Sequence, residues 1–179
     1  MAAKRIGILT GGGDVPGLNS VIKSVVYRAA EIGCEVIGIR RGWEGLTHVD
    51  LSDPASKTSY ILPLDRNNTR TIDRTGGTFL HTSRTNPAKM KKLPPTLEGQ
   101  KYQAKESTKK GLTSTLYDVT PAVLKNIETL GLGYLIAIGE NFVQLLVVVR
   151  ECAPRAFDHS ADRIMPGSKW GIRSVVGHE

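Results

Sequence analysis

Residues 7–26, GILTGGGDVPGLNSVIKSVV, place three consecutive glycines, an aspartate and a proline–glycine turn between two apolar runs. Glycine inside a regular element costs about 0.5–1 kcal/mol relative to alanine, so three of them at the mouth of a helix demand a reason. Arg5 to Thr10 (RIGILT) is a short, mostly apolar run of the kind that forms a buried parallel strand. Beyond the glycines, Leu18, Val21, Ile22, Val25, Val26, Ala29 and Ala30 recur at helical spacing and predict one wide apolar stripe. Pro16 and Asn19 suit the start of this helix, and Gly33 suits its end as a left-handed cap. Glu35 to Ile39 (EVIGI) reads as the next strand. The unit is strand–helix–strand, and the right-handed crossover rule puts both strands in one parallel sheet.

Such a junction aims backbone N–H groups and the positive end of a helix dipole at one spot, which favours anions. Ligands of open α/β sheets also gather at the carboxyl ends of the strands. Neither common phosphate fingerprint is met. The G-x-G-x-x-G pattern finds Pro16 where its third glycine belongs, and the spacing from Gly12 to Gly17 is followed by Leu18-Asn19, not Lys-Ser/Thr. On these residues alone, a phosphate cradle and a plain tight turn are both open, and Asp14 reads equally as a turn residue.

The rest of the chain narrows the class. Its 179 residues carry a formal net charge of +7, much of it from Lys89, Lys91, Lys92, Lys101, Lys105, Lys109 and Lys110. Tyr102 is the only aromatic among these lysines, so a solvated face is expected and no nucleic-acid partner. A basic chain also suits phosphorylated metabolites. No apolar run is long enough to span a membrane. Met1-Ala2-Ala3-Lys4-Arg5 leads straight into the first strand with no cleavage site, and Cys34 and Cys152 stand alone, so a reduced cytoplasmic protein is expected.

Residues 40–58 are turn-rich, and Tyr60 to Leu64 suits a short strand. A second glycine signal follows in DRTGGTFLHTSRTNP, residues 73–87. Residues 88–111 are polar and lysine-rich, as expected of a surface excursion with limited helix. Thr120-Pro121 then opens a helix as cap and first residue, Val123, Leu124, Ile127 and Leu130 face one way, and Gly131 closes it. Tyr134 to Gly139 (YLIAIG) is another buried parallel strand. The pattern predicts a doubly wound, Rossmann-like α/β domain. After Gly139 comes one apolar run, Phe142 to Val149, and then no clear period.

Three separated stretches, LTGGGDVPGLNSVIKSVV, IGIRRGWEGL and GGTFLHTSRTNP, occur in an order that resembles the phosphofructokinase family. The likeness is to the branch with three glycines before the aspartate, which holds ATP-using and pyrophosphate-using enzymes. It continues through LYDVTPAVLKNIETLGLGYLIAIG and covers residues 4–139, the front part of a family chain. The resemblance implies an incomplete N-terminal lobe. It also implies a glycolytic activity: phosphoryl transfer from ATP or pyrophosphate, with Mg²⁺, to the 1-hydroxyl of fructose 6-phosphate. It implies a homo-oligomer as well. It sets the backbone at Gly12 against the transferring phosphate, with Gly13 and Asp14 shaping that turn. It sends Arg84 to the donor phosphates, where a guanidinium matches phosphate geometry, and puts Trp43 near the donor nucleotide. Taken without the resemblance, Arg84 suits a solvated surface and Trp43 suits packing. The histidines, His48 and His81 included, carry no chemical signal.

The likeness breaks after Gly139. Glu140 stands where the family has a second glycine, and Asn141 where it has a metal-binding acid. No Thr-x-Asp-Asn-Asp segment, the family's source of a catalytic base, follows. Without that base an assistance of about 10²–10⁴-fold is lost. Codons for Asn141-Phe142-Val143 read one base later permit Thr-Leu-Ser, so residues 140–179 read as a divergent, out-of-frame tail. The expectation is a donor-binding domain over residues 4–139, truncated and inactive alone. The alternative is a non-catalytic nucleotide- or phosphate-binding module. A sheet cut after Ile138 is expected to expose an edge.

Overall fold

The computed structural model describes residues 4–14, 16–99, 102–109, 112–139, 142–149 and 171–175. Lys101, Lys110, Glu140, Asn141 and most of the expected tail lie outside them.

The predicted strand–helix–strand unit is present as β1 (Arg5–Gly11), α1 (Leu18–Glu31) and β2 (Glu35–Ile39). Two short helices follow, α2 (Trp43–His48) and α3 (Pro54–Tyr60), then β3 (Ile61–Leu64). After a long irregular stretch come β4 (Gln103–Lys109) and β5 (Leu112–Asp118), then α4 (Thr120–Thr129) and β6 (Tyr134–Gly139). The last strands are β7 (Phe142–Val149) and β8 (Gly171–Val175). The main sheet runs β3-β2-β1-β6-β7-β8, and β4 pairs only with β5. β1 lies parallel to β2 on one side and to β6 on the other, while every other pairing is antiparallel. Pro63 is tolerated in β3 because that strand forms an edge.

Alternation along the strands builds two cores. Ile8 of β1, Val36 of β2 and Ile138 of β6 face Leu18, Ile22, Val26 and Ala29 of α1. Leu9, Ile39, Leu135 and Ala137 face the other way, onto Leu46 of α2 and Val123 and Ile127 of α4. Helices on both faces of a parallel centre make the fold doubly wound, as predicted. The side chains of α1 that flank its buried stripe stay out: Val21 is 39% exposed, and Ala30 is exposed too. A helix lying on a sheet buries one face, narrower than the stripe the periodicity suggests.

Several local expectations change. The turn-rich stretch holds α2 and α3, the latter started by Asp53, whose carboxylate accepts from the N–H groups of Ala55 and Ser56. The lysine-rich excursion holds β4, which pairs with β5 just beyond it, and residues 103–106 are exposed. Thr120 is not the cap of α4: the residue before the helix is Val119, and Asp118 Oδ1 accepts from the Thr120 N–H at 2.9 Å. β6 is not an open edge, because β7 pairs with it from Leu135 opposite Leu146 to Gly139 opposite Phe142.

Candidate phosphate-binding site

β1 has β2 on one side and β6 on the other, and the chain reaches these neighbours by helices on opposite faces. The crevice at the carboxyl ends of β1 and β6 is therefore the switch point where such sheets bind ligands. Gly11 and Gly139 are paired there, and a Cβ on Gly139 would stand 2.8 Å from the Gly11 carbonyl oxygen. Only glycine lets the two strand ends approach this closely.

The first glycine loop leaves β1 at this point, and the second is laid across it. The Gly12 N–H donates to the Ser83 carbonyl at 3.0 Å. Thr10 is fully buried and its hydroxyl donates to the His81 carbonyl at 2.8 Å. Asn19, also buried, donates from Nδ2 to the carbonyls of Gly77 and Thr75 at 3.0 and 3.2 Å, and its Oδ1 accepts from the Phe79 N–H at 2.7 Å. Lys23, one turn further along α1, donates to the Arg70 carbonyl and to Asp73, each at 2.8 Å. That contact holds the Asp73 carboxyl below its usual range. Residues 70–83 are thus stitched along the first half of α1 and the end of β1.

Asn19 is consequently not the helix cap that its residue type suggests. The cap position belongs to Gly17, with φ 95°, and no side chain caps the helix there. The first turn of α1 also contains no acidic residue. Its leading N–H groups therefore lack a side-chain partner, the condition that makes a helix start attractive to an anion.

The expected site residues gather around this point to different degrees. Gly12 (φ 83°) and Gly13 form the turn and are half-buried. The Gly12 N–H is already committed to Ser83, so at Gly12 the approach open to a ligand is steric room rather than a free donor. Asp14 is exposed, and its Oδ2 would stand 3.4 Å from a Cβ on Gly77, so its carboxylate lies over the second loop. Arg84 follows Ser83 directly and is exposed, and among the described residues no hydrogen bond or ion pair engages its side chain. Trp43 is half-buried, packs on the α4-side core and has its Cδ1 beside Gly11. With Asn86, Pro87, Val123 and Leu124 it also borders an apolar cleft of about 340 Å³. Packing and access to the crevice coexist at this residue. Thr10 and Ser83 were not singled out by sequence, and Asn19 only as a helix start, because a Thr, Asn or Ser that bonds across sixty residues has no local signature.

The sequence pattern of the family described as phosphofructokinase matches residues 5–143. The chain belongs to the phosphofructokinase family. The chain is 46% identical over 89 residues to a pyrophosphate–fructose 6-phosphate 1-phosphotransferase of Dictyoglomus thermophilum, half of this chain and 23% of that protein. It is 49% identical over 84 residues to ATP-dependent 6-phosphofructokinase 3 of Streptomyces coelicolor, 46% of this chain and 22% of that protein. The phosphofructokinase of Pichia pastoris, in its T-state crystal structure, shares the fold with a TM-score of 0.51 and 20% identity, over 76% of this chain and 11% of that one. The chain therefore spans less than a quarter of the length of these relatives.

Among the described residues, no three His, Cys, Asp or Glu side chains cluster to hold a metal ion. No helix among them is long and apolar enough to cross a membrane.

Proposed function

We propose that this phosphofructokinase-family chain is the donor side of a 6-phosphofructokinase, binding ATP or pyrophosphate at the crevice between the two glycine loops. The observation that carries the reading is the Gly12–Ser83 hydrogen bond, which brings the first glycine turn, the uncapped start of α1 and the Arg84 backbone to one strand end. Arg84, charged and unengaged, would bind donor phosphate oxygens in a fork. The α1 dipole would favour the same negative charge. The glycine turn leaves room for the phosphate, and Trp43 would lie at the edge where a nucleotide base enters. Phosphoryl transfer depends mainly on such positioning and charge stabilisation. The acceptor in the whole protein would be fructose 6-phosphate.

Relatives named for ATP and for pyrophosphate match at similar identity, so both donors belong to the proposal. Among the described residues the Mg²⁺ that the family implies has no fitting donor set: Asp14 offers a lone exposed carboxylate, and Glu140 and Asn141 lie outside them. No step is therefore assigned to a metal. The domain is taken as residues 4–139, with residues 140–179 a divergent tail that supplies no base. A cytoplasmic location and a homo-oligomeric state follow from the family reading alone.

A coupled assay for fructose 1,6-bisphosphate, with fructose 6-phosphate, Mg²⁺ and either donor, tests the proposal together with calorimetric titration of each donor. Binding without turnover, weakened roughly tenfold or more by Arg84→Ala, is the expected result. It would leave the isolated chain a phosphate-binding module from a kinase family. Clear turnover would show that residues 140–179 supply a metal site and base, and absence of binding to either donor would overturn the site.

A further inference from the structure

Arg40 and Arg41 follow β2 and, with Ser56, Ser59 and Tyr60 of α3 and His81 of the second glycine loop, enclose a cavity of about 320 Å³. That volume lies within the range of small-ligand sites, about 300–1,000 Å³. Two guanidinium groups, an imidazole and three hydroxyls line it, and no carboxylate does.

Two further observations converge on the same place. The Arg40 Nε is buried without a hydrogen-bond partner, a state that native folds avoid unless something else satisfies the group. Arg41 (φ 59°) and His81 (φ 57°) are the non-glycine residues with left-handed backbone among those described. Such strain persists only where the surroundings impose it, and it collects at binding sites. The surroundings do impose it. The Arg41 N–H donates to the Leu80 carbonyl and the Arg40 N–H to the Tyr60 carbonyl, both at 2.8 Å, while the His81 carbonyl is held by Thr10.

The lining groups keep donors to spare. Arg41 meets Glu44 at 3.4 Å with its side chain 57% exposed, which engages one of its nitrogens. Ser56 Oγ accepts from the Asp50 N–H at 2.9 Å and keeps its own hydrogen, whereas Ser59 donates to the Ala55 carbonyl. No hydrogen bond engages the His81 ring among the described residues. Two guanidinium forks exceed what one carboxylate can accept, and they match the several oxygens of a phosphate.

We infer that this cavity binds a small phosphate-bearing anion, held by Arg40, Arg41 and His81, at a site separate from the crevice of Gly12 and Arg84. The inference does not depend on the donor site, which uses Gly12 and Arg84.

Calorimetry of the full chain carrying Arg84→Ala, so that donor binding does not interfere, tests it with inorganic phosphate and with glycerol 3-phosphate. Saturable binding is expected, and Arg40→Met and Arg41→Ala should each weaken it by roughly tenfold or more. Tighter binding of glycerol 3-phosphate would assign the site to a phosphomonoester, and tighter binding of inorganic phosphate to the free ion. Arg41 is exposed, so Arg41→Ala keeps the test decisive even where Arg40→Met fails to fold. His81→Gly should raise the thermal midpoint by releasing backbone strain while weakening the anion. Absence of saturable binding, or binding unaffected by both arginine variants in folded samples, would overturn the inference.

Discussion

The side-chain oxygen of Asn19, on the first turn of α1, accepts a hydrogen bond from the N–H of Phe79 at 2.7 Å, sixty residues away in the chain. The same amide donates to the carbonyls of Gly77 and Thr75. The second glycine loop lacks regular pairing, and this one side chain satisfies three of its backbone groups. It also sets that loop over the start of α1, where the helix carries no cap of its own.

Asn19→Ala would remove these three hydrogen bonds and leave a gap at a buried position of α1, although Thr75 and Gly77 are themselves exposed. A loss of about 2–3 kcal/mol is expected, measured by urea denaturation, along with weaker binding of pyrophosphate. A loss below about 0.5 kcal/mol, the size of a neutral surface change, would show that the loop holds its place without Asn19.

Gly139→Ala introduces a Cβ 2.8 Å from the Gly11 carbonyl oxygen. Both partners are strand backbone and neither can swing aside, so roughly 1–3 kcal/mol of overpacking is expected. Gly76→Ala is the comparison, since a Cβ there meets nothing within 4 Å. Equal urea midpoints for the two variants would refute the close approach of β1 and β6.

Arg84 is exposed and unengaged, so Arg84→Ala should change stability by no more than about 0.5 kcal/mol. Donor affinity should nonetheless fall roughly tenfold or more. Arg84→Lys should recover only part of it, because an ammonium lacks the fork. Thermal melts and donor titrations on the same samples separate the two effects. Unchanged donor affinity in Arg84→Ala would remove this residue from the site.

Asp73 has its carboxyl pKa lowered, first of all by the hydrogen bond from Lys23. A carboxyl lowered in the folded state contributes stability above its unfolded pKa and loses it as pH falls through the folded value. The clip between α1 and residues 70–73 should therefore weaken in acid. Lys23→Met should flatten the acid side of the stability profile. An identical profile in that variant would exclude the pair as a source of pH dependence.

Periodic segments were legible because their signals are local. The short apolar runs of β1, β2 and β6, the stripe on α1 and the glycines closing α1 and α4 each lie within a few residues of one another. Short elements were not. α2 and α3 are only six and seven residues long, too short for a period, although Asp53-Pro54 is a start signal that could have revealed α3. The β4–β5 pair was hidden because the polar, exposed residues 103–106 show no buried face to alternate with. In the candidate site, Gly12, Gly13, Asp14, Trp43 and Arg84 came from motif order, while Arg40 and His81 had no sequence signal at all.

The sequence by itself determined a doubly wound α/β chain, because hydrophobic period and glycine placement are read along the chain, and the order of three motifs carried its resemblance to the phosphofructokinase family. Only the tertiary structure decided that Asn19 serves the second loop instead of capping its own helix, and that the Gly12 N–H is spent on Ser83. It alone decided that Arg40, Arg41 and His81 enclose a cavity. These are hydrogen bonds and contacts between segments remote in sequence, and their energies depend on geometry that no local pattern encodes.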